Sequence, residues 1–534
     1  MTSERPKKAP RPLGHVALVA AGPGDPELMT LRAAALLAAA DAVVADPDVV
    51  DLIAAHAPDA EIVDAVDENG LPLDRAIRAK RVVELARAGK DVVRLMAGDP
   101  VFDGSIATEA TVLHRAKVPF EVAAGVSVIG GAAAYAGYPL LGTKSRELRE
   151  VEIDSVTDWA PHADPSITLV VWNAADRAPE VAKALIAAGR KPDTPIAITR
   201  GATTVEQRTI ASTLEDLPTA VKAAKQAGPG IVVVGEVLNA RDKLSWFETK
   251  PLFGWRVLVP RTKEQAGSLS DKLRRDGAVP VEVPTISVEP PRTPQQMERA
   301  IQGLVSGRFQ WVAFTSANAV KAVREKFEEY GLDARSMAGL KIAAVGEQTA
   351  AALIAFGVKP DLVPSGDQSS QGLLADWPPY DAEVDPIDRV FLPRADIATE
   401  ALAAGLQELG WEVDDVTAYR TVRAAPPPAE TREAIKTGGF DAVMFTSSST
   451  VRNLVGIAGK PHACTVVACI GPQTAETARE HGLRVDVLAD VPNVEILADD
   501  LAAHAETLRL AALENGDLTW RPSRRRAGSR RRAT

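Results

Sequence analysis

The chain has 534 residues, 46% of them apolar and 25% charged, with a formal net charge of −10. At about 150 residues per domain that is roughly three to four compact units, too many for a single core, and the composition is globular, not disordered. The acidity excludes general binding of nucleic acid or of an acidic membrane by the body of the protein. It is also uneven: residues 1–14 sum to +3 and residues 521–534 to +7, which leaves −20 between them. Residues 1–14 read as a basic tail and residues 506–534 as a helix end and Arg-rich tail. The Arg run from Arg524 to Arg532 could make weak contacts with RNA or anionic lipid, or simply be a solvated end. The two cysteines, Cys464 and Cys469, exclude a disulfide framework and suit a cytoplasmic protein. With His462 they read as part of a buried strand and not as a metal site, so no metal is expected. Charges interrupt every long apolar stretch, so neither a signal peptide nor a membrane span is expected.

His15–Ala20 opens the chain as a short apolar strand. A Gly22-Pro23-Gly24-Asp25-Pro26 turn then leads into a helix predicted over Asp25–Ala39. Ala42–Ala45, Asp91–Met96, Ile167–Trp172, Pro195–Thr199 and Gly230–Val234 are further buried strands, with Ala-rich helical stretches between several of them. Residues 15–242 therefore predict α/β units on a largely parallel sheet. The first Gly-rich turn lacks dinucleotide-binding spacing. In the second, Gly98-Asp99-Pro100, Asp99 stands at the carboxyl end of a strand, where α/β sheets bind ligands. Its carboxylate suits ribose hydroxyls and an Asp-Pro turn equally.

Residues 243–254 are irregular and carry Pro and Gly, which marks a linker. Beyond it the chain repeats itself. Arg256-Val257-Leu258-Val259-Pro260-Arg261 returns as Arg389-Val390-Phe391-Leu392-Pro393-Arg394, and Gly277 returns as Gly410, at an offset of 133. Phe314-Thr315-Ser316 returns as Phe445-Thr446-Ser447, and Val345-Gly346 with Gln348-Thr349-Ala350 returns as Ile470-Gly471 with Gln473-Thr474-Ala475. Three blocks in the same order point to two similar α/β lobes with a cleft between them. The predicted lobes are 255–289 plus 424–505, and 290–423.

Each lobe repeats one device, a strand followed by a hydroxyl-rich turn and a helix. Thr315 and Ser316, Gly346 and Thr349, Thr446 and Ser447, and Gly471 and Thr474 mark four such turns. Free N–H groups at helix N-termini, with Ser and Thr donors, suit a ligand carrying several carboxylates or phosphates. N-capping accounts for any one turn; the set of four points to anion binding. Tyr419, one of five tyrosines, is either a packing residue or a phenolic hydrogen-bond donor.

These residues, together with Val259-Pro260-Arg261, Ala344-Val345-Gly346, Tyr419-Arg420-Thr421 and Ile470-Gly471-Pro472-Gln473-Thr474, resemble uroporphyrinogen-III synthase over roughly residues 255–503. The resemblance implies two α/β lobes on a two-strand connection. It implies cyclisation of hydroxymethylbilane with inversion of ring D and loss of water, without a cofactor. Tyr419 matches the tyrosine that would help the hydroxyl leave, and the four turns would hold substrate carboxylates.

The first half resembles the tetrapyrrole methylases, most closely uroporphyrinogen-III C-methyltransferase, from about residue 15 to 240. The resemblance rests on the two Gly-rich turns, Ala134-Tyr135-Ala136-Gly137-Tyr138-Pro139, Pro192-Asp193-Thr194-Pro195 and Gly235-Glu236-Val237. It implies two α/β lobes, S-adenosyl-L-methionine in their cleft, methylation to precorrin-2, and a homodimer. By residue match, Pro23, Gly98, Asp99, Ser127 and Val128 would surround the cofactor, and Asp46 would handle the proton of the reacting carbon. Trp172-Asn173-Ala174 stands where the family has Tyr-Met-Gly, and Asp64-Ala65-Val66 where it has Gly-Lys-Arg. Basic residues that would meet substrate carboxylates are also missing after Phe102 and Pro139. Two readings follow: a fused two-step tetrapyrrole enzyme, or a synthase whose methylase-like half is a non-catalytic dimerisation or ligand-sensing module. The partners are then small tetrapyrroles, with no membrane.

Overall fold

The computed structural model describes residues 12–524 apart from 68–69, 103, 225, 262, 516 and 518–519. Most of the basic N-terminal tail and the arginines beyond Arg524 lie outside the described residues. The chain divides into two compact units, one ending at Trp255 and including Leu273–Val279, the other formed by Arg256–Lys272 and the chain from Pro280.

The first unit holds two five-stranded sheets. Strands β1 (Val16–Ala20), β2 (Ala42–Ala45), β3 (Glu61–Asp64), β4 (Val92–Met96) and β5 (Phe120–Ala123) form the first, in the order β3-β2-β4-β1-β5. All its pairings are parallel. Every residue of β1, β2 and β4 is buried, as a sheet covered on both faces requires. Alternate residues divide between those faces. Ala17 and Val19 pack with Ala33 and Leu37, while Val16 and Leu18 pack with Val82, Ala86 and Leu113. The helix predicted over Asp25–Ala39 is interrupted. A 3-10 turn, Pro26–Leu28, is followed by a helix over Leu31–Ala38 whose N-cap, Thr30, accepts from Ala33 N–H.

The second sheet contains β6 (Glu147–Glu152), β7 (Ile167–Trp172), β8 (Pro195–Arg200), β9 (Arg208–Thr213) and β10 (Gly230–Val234), ordered β6-β7-β10-β8-β9. Only β6 and β7 run parallel; the other pairings are antiparallel. The expectation of a largely parallel sheet fails here because β8 and β9 are joined by the short loop 201–207, which permits a hairpin but no crossover.

In the second unit the strands are β11 (Arg256–Val259), β12 (Val279–Glu282), β13 (Ile286–Glu289), β14 (Trp311–Phe314), β15 (Lys341–Ala344), β16 (Arg389–Ala395), β17 (Glu412–Arg423), β18 (Ala442–Phe445), β19 (Val466–Cys469) and β20 (Val487–Leu488). The sheets are β12-β11-β18-β19-β20 and β13-β17-β16-β14-β15. The sequence repeat is visible as topology: β12-β11-β18-β19 in one lobe has the strand order of β17-β16-β14-β15 in the other. One boundary differs from expectation. Residues 286–289, placed with the first lobe from sequence, belong to the second sheet. Residues 420–423 of β17 run past the end of β16 and offer a free edge, with which β13 pairs antiparallel from Ile286↔Arg423 to Glu289↔Arg420. An Arg420–Glu289 ion pair at 2.7 Å fastens it.

Asp441 precedes β18 and is fully buried. Its carboxylate accepts from the backbone N–H of Arg256 and of Ser523, each at 2.8 Å, tying the first strand of the unit to its C-terminal turn. Asp441→Ala should lower the stability of the second unit by about 2 kcal/mol or more, since each orphaned buried donor costs about 1–3 kcal/mol. Asp441→Asn, which keeps an acceptor, should cost less. Urea unfolding followed by tryptophan fluorescence measures both.

Candidate functional site

Because β1 and β4 are parallel neighbours, the loops after them emerge side by side. Gly22 and Gly98 exchange backbone hydrogen bonds of 3.1 and 3.0 Å. Gly98 has φ +69°, and a Cβ there would stand 3.1 Å from Val128 Cγ2. Gly131 gives room to Pro23, whose Cγ would lie 2.6 Å from a Cβ. Asp25 accepts from the Tyr135 hydroxyl at 2.6 Å. Burial and this carboxylate push the Tyr135 phenol well above its ordinary range. Ser127 caps the helix Val128–Ala136 by accepting from Gly130 N–H at 3.1 Å. Four of the residues predicted to surround a cofactor, Pro23, Gly98, Ser127 and Val128, thus converge from three separate stretches of chain.

Gly98, Asp99 and Val128 line a cleft of about 630 Å³, together with Phe102 and Trp172 and the carboxylates of Glu150 and Glu152. Trp172 Nε1 donates to Glu150 at 3.2 Å. Asn173 has φ +56°, a conformation Asn tolerates, and its amide donates to Glu152 at 2.8 Å. Burial raises the Glu150 carboxyl above its usual range, and the bond from Trp172 opposes the shift. The residues that depart from the family's Tyr-Met-Gly are therefore on the cleft wall. Glu150 and Glu152 were not legible from sequence, since β6 reads Glu-Leu-Arg-Glu-Val-Glu and has no buried run.

Asp46 follows β2 and sits beneath the same loop. One oxygen accepts from the guanidiniums of Arg78 and Arg94, and the other accepts from Ala97 N–H at 3.1 Å. Arg94 is fully buried and also donates to Glu109 at 2.8 and 3.1 Å. Two cations and two carboxylates thus close a neutral cluster on β2, β4 and the helices Arg75–Arg87 and Ile106–Arg115. Proton handling by Asp46 has to coexist with this network, which holds the Ala97–Asp99 loop in place.

In the second unit, Thr446, Ser447, Gly471 and Thr474 line one cleft of about 610 Å³ with Arg452. Ser447 accepts from Thr450 N–H at 3.3 Å and shares a hydrogen bond of 2.9 Å with Ser449 Oγ. In the other lobe, Ser316 follows β14 and Thr315, and caps the helix Ala317–Glu329 by accepting from Ala319 N–H at 3.1 Å. Its Oγ lies 2.9 Å from the Tyr419 hydroxyl, which is only 7% exposed on β17. Register along β14, β16 and β17 brings these two predicted site residues together. Gly346 differs from its counterpart Gly471. The Gln368 side chain accepts from Glu347 N–H at 3.2 Å and covers the turn. Thr349 is 4% exposed and lies on the core face of its helix beside Leu353, much as its counterpart Thr474 is 5% exposed.

Cys469 lies in β19, and burial pushes its thiol up to about 12. Cys464 instead precedes the strand, with its sulfur 3.1 Å from His462 Nδ1. Among the described residues no three His, Cys, Asp or Glu side chains group as a metal site, and no helix is long and apolar enough to cross a membrane.

The family model for uroporphyrinogen-III synthase HemD matches residues 267–499, and that for tetrapyrrole (corrin/porphyrin) methylases matches residues 15–218. The chain is 32% identical over 505 residues to the porphyrin biosynthesis protein HemD of Ruminiclostridium josui, covering 91% of this chain and 97% of that one. The chain belongs to the HemD porphyrin-biosynthesis family. It is a tetrapyrrole-biosynthesis enzyme with a methylase domain followed by a synthase domain. The methylase side is also 38% identical over 250 residues to the siroheme synthase of Azotobacter vinelandii, covering 45% of this chain and 53% of that one. A crystal structure of uroporphyrin-III C-methyltransferase from Thermus thermophilus complexed with S-adenosyl homocysteine is 32% identical, covering 42% of this chain and 99% of that one, with a TM-score of 0.35.

Arg94→Met would leave Asp46 and Glu109 without their shared buried cation. The loss should be about 3–5 kcal/mol, confined to the unfolding transition of the methylase domain, as differential scanning calorimetry would resolve.

Proposed function

We propose that the synthase domain cyclises hydroxymethylbilane to uroporphyrinogen III with inversion of ring D and loss of water, and that the methylase domain methylates that product with S-adenosyl-L-methionine to precorrin-2. The observation that carries the synthase reading is the Ser316–Tyr419 pair, at 2.9 Å. The Ser316 oxygen already accepts Ala319 N–H, so its own proton is available to the Tyr419 oxygen. The Tyr419 proton is then left for the departing hydroxyl of the substrate. A phenol is protonated at neutral pH and can donate there. As the C–O bond breaks, the pyrrole nitrogen's electron pair replaces it and the hydroxyl leaves as water. Ring closure is then a matter of position. The freed carbon bonds to the substituted carbon of ring D, and the bond from ring D to its old bridge breaks and re-forms at the other side. The proton lost on rearomatisation restores the Tyr419 phenol. The turns at Thr315–Ser316, Thr446–Ser447, Gly471 and Thr474 hold the carboxylates while the chain folds back on itself.

The methylase cleft suits the cofactor by its chemistry. Phe102 and Trp172 offer faces to an adenine, Asp99 offers acceptors to ribose hydroxyls, and Glu150 and Glu152 favour a cationic ligand. When bound, the cofactor supplies an electrophilic methyl group on a sulfonium. Pro23, Gly98, Ser127 and Val128 shape the pocket, and Asp46 acts through the loop it holds, as well as being the carboxylate nearest to proton chemistry in the family's pattern. The same acidic wall favours a second reading. A macrocycle with eight carboxylates would meet Asp99, Glu150 and Glu152 there, which fits a domain that binds the cofactor as a sensor or dimerisation module without methylating.

Hydroxymethylbilane supplied with and without S-adenosyl-L-methionine separates the readings. Isomer III marks a working synthase, isomer I alone an inactive one, and methylated product only with cofactor marks an active methylase. Tyr419→Phe should lower kcat about a hundred-fold while circular dichroism stays that of the parent; unchanged turnover would remove Tyr419 from the mechanism. Cofactor binding should weaken as pH falls through the raised Glu150 pKa, because the carboxylate that attracts the sulfonium is lost below it. Glu150→Gln should flatten that dependence in isothermal titration calorimetry.

A further inference from the structure

The duplication of the synthase domain supplies an internal comparison for one arginine. Arg394 ends the block Val390-Phe391-Leu392-Pro393-Arg394 and is fully committed within its lobe. It is ion-paired to both oxygens of Asp415 on β17 and donates to the carbonyls of Ala398 and Thr399 at 2.6 and 3.0 Å. These partners raise its pKa. Arg261 ends the matching block Val257-Leu258-Val259-Pro260-Arg261. It is half-buried, and among the described residues no carboxylate or carbonyl accepts from its guanidinium. Burial alone acts on it and lowers its pKa. The residue at the Asp415 position, by the 133-residue offset, is Glu282. That carboxylate instead accepts from the buried Ser270 hydroxyl at 2.6 Å.

Desolvating a cation without a partner is costly, and an unpaired guanidinium is the planar fork that fits a carboxylate. Its position supports such a use. β11 and β18 are parallel, with Leu258 opposite Val443, so Arg261 leaves the sheet at the same edge as Thr446 and Ser447. β19 follows next, and Gly471 lies in the turn just beyond its end at Cys469. That edge is where the open cleft with Arg452 lies. In the other lobe the corresponding arginine and glycine are both occupied, Arg394 by Asp415 and the Gly346 turn by Gln368.

We propose that Arg261 binds a carboxylate of the tetrapyrrole substrate beside the Thr446–Ser447 turn, so that one lobe of the duplicated pair holds the polyanion while the other supplies the Ser316–Tyr419 hydroxyls. The assignment of the ligand rests on the synthase reading above.

The test uses the full chain with Arg261→Gln and Arg261→Lys, and Arg394→Gln for contrast. Steady-state kinetics with hydroxymethylbilane should show KM raised roughly ten- to a hundred-fold in Arg261→Gln, as for loss of a charge-assisted hydrogen bond, with kcat within about two-fold. Arg261→Lys should recover part of the loss. Uroporphyrin III, an octacarboxylate that does not turn over, should bind Arg261→Gln more weakly by fluorescence titration, with a shallower dependence on NaCl. Arg394→Gln should lower the melting temperature and leave uroporphyrin binding by the folded protein near that of the parent. Uroporphyrin binding and KM both unchanged in Arg261→Gln overturn the proposal, as does a fall in melting temperature alone. A parent chain that yields no isomer III refutes the synthase reading instead, and the uroporphyrin titration then still decides whether Arg261 holds a polycarboxylate.

Discussion

Parallel pairing sends the carboxyl ends of neighbouring strands to the same edge of a sheet, and the candidate sites of both domains depend on it. In the methylase domain β1 and β4 lie side by side, so two Gly-containing loops more than seventy residues apart in sequence meet through the Gly22–Gly98 bonds. In the synthase domain the same constraint places the turns after β11, β18 and β19 on one edge, and those after β16, β14 and β15 on another. The turns after β14, β15, β18 and β19 open directly into helices starting at Ala317, Glu347, Ser448 and Pro472, whose exposed N–H groups carry partial positive charge. Antiparallel pairing would have split each set between opposite ends of its sheet. The second sheet of the methylase domain contributes to the cleft by the same rule, through side chains at the carboxyl ends of its one parallel pair, β6 and β7.

A body of −20 between basic ends has to bind a polyanion on the reading advanced for the synthase domain. The overall field opposes this, but it is screened over about 8 Å at physiological ionic strength. What decides is the set of groups within that distance: turn amides, Ser447 and Ser449 hydroxyls, and arginines without internal partners. The fate of each arginine therefore matters more than their number. Arg94, Arg394 and Arg420 are paired with Asp46 and Glu109, Asp415, and Glu289, which commits their charge inside the protein. The acidic wall of the methylase cleft follows the same logic with the opposite sign, since a cationic ligand gains there what a polycarboxylate would lose.

Strands covered on both faces were legible to within one residue, with β1, β4 and β8 each differing by one at one end. Ala42–Ala45, Ile167–Trp172 and Gly230–Val234 have the predicted bounds because an unbroken apolar run has one stable place in an α/β sheet. Strands at the edges, β3, β6 and β9, were invisible, because half of each faces solvent and the residues alternate or are polar. The helix after β1 was drawn too long because the Pro26–Leu28 turn continues a helical composition while Thr30 restarts the capping. Repeats carry their own alignment, so the lobed plan of the synthase domain was readable, apart from β13, whose pairing is set by the overhang of β17. Pairwise geometry was not readable. Ser316 and Tyr419 are 103 residues apart and meet only through strand register. Gln368 and Glu282 act through side-chain orientation, which no pattern of residue types encodes.

The two lobes share one strand order, and that likeness is a problem for the chemistry proposed. A linear tetrapyrrole with acidic side chains on every ring could enter a symmetric cleft in either direction, yet only one of its ends carries the hydroxyl that must leave. Equal lobes would accept both orientations with similar affinity, and half of the bound substrate would be out of reach of the acid. Discrimination requires a free-energy difference between the orientations, and the departures from symmetry provide it. The turn at Gly471 is open where the turn at Gly346 is covered by Gln368. Glu282 is turned to Ser270 where Asp415 is turned to its arginine. A tyrosine meets the capping serine in one lobe, while in the other the capping Ser447 bonds to Ser449. Each difference is a local choice of hydrogen-bond partner on an otherwise shared backbone. Such choices are how a repeat becomes an oriented site without a change of fold.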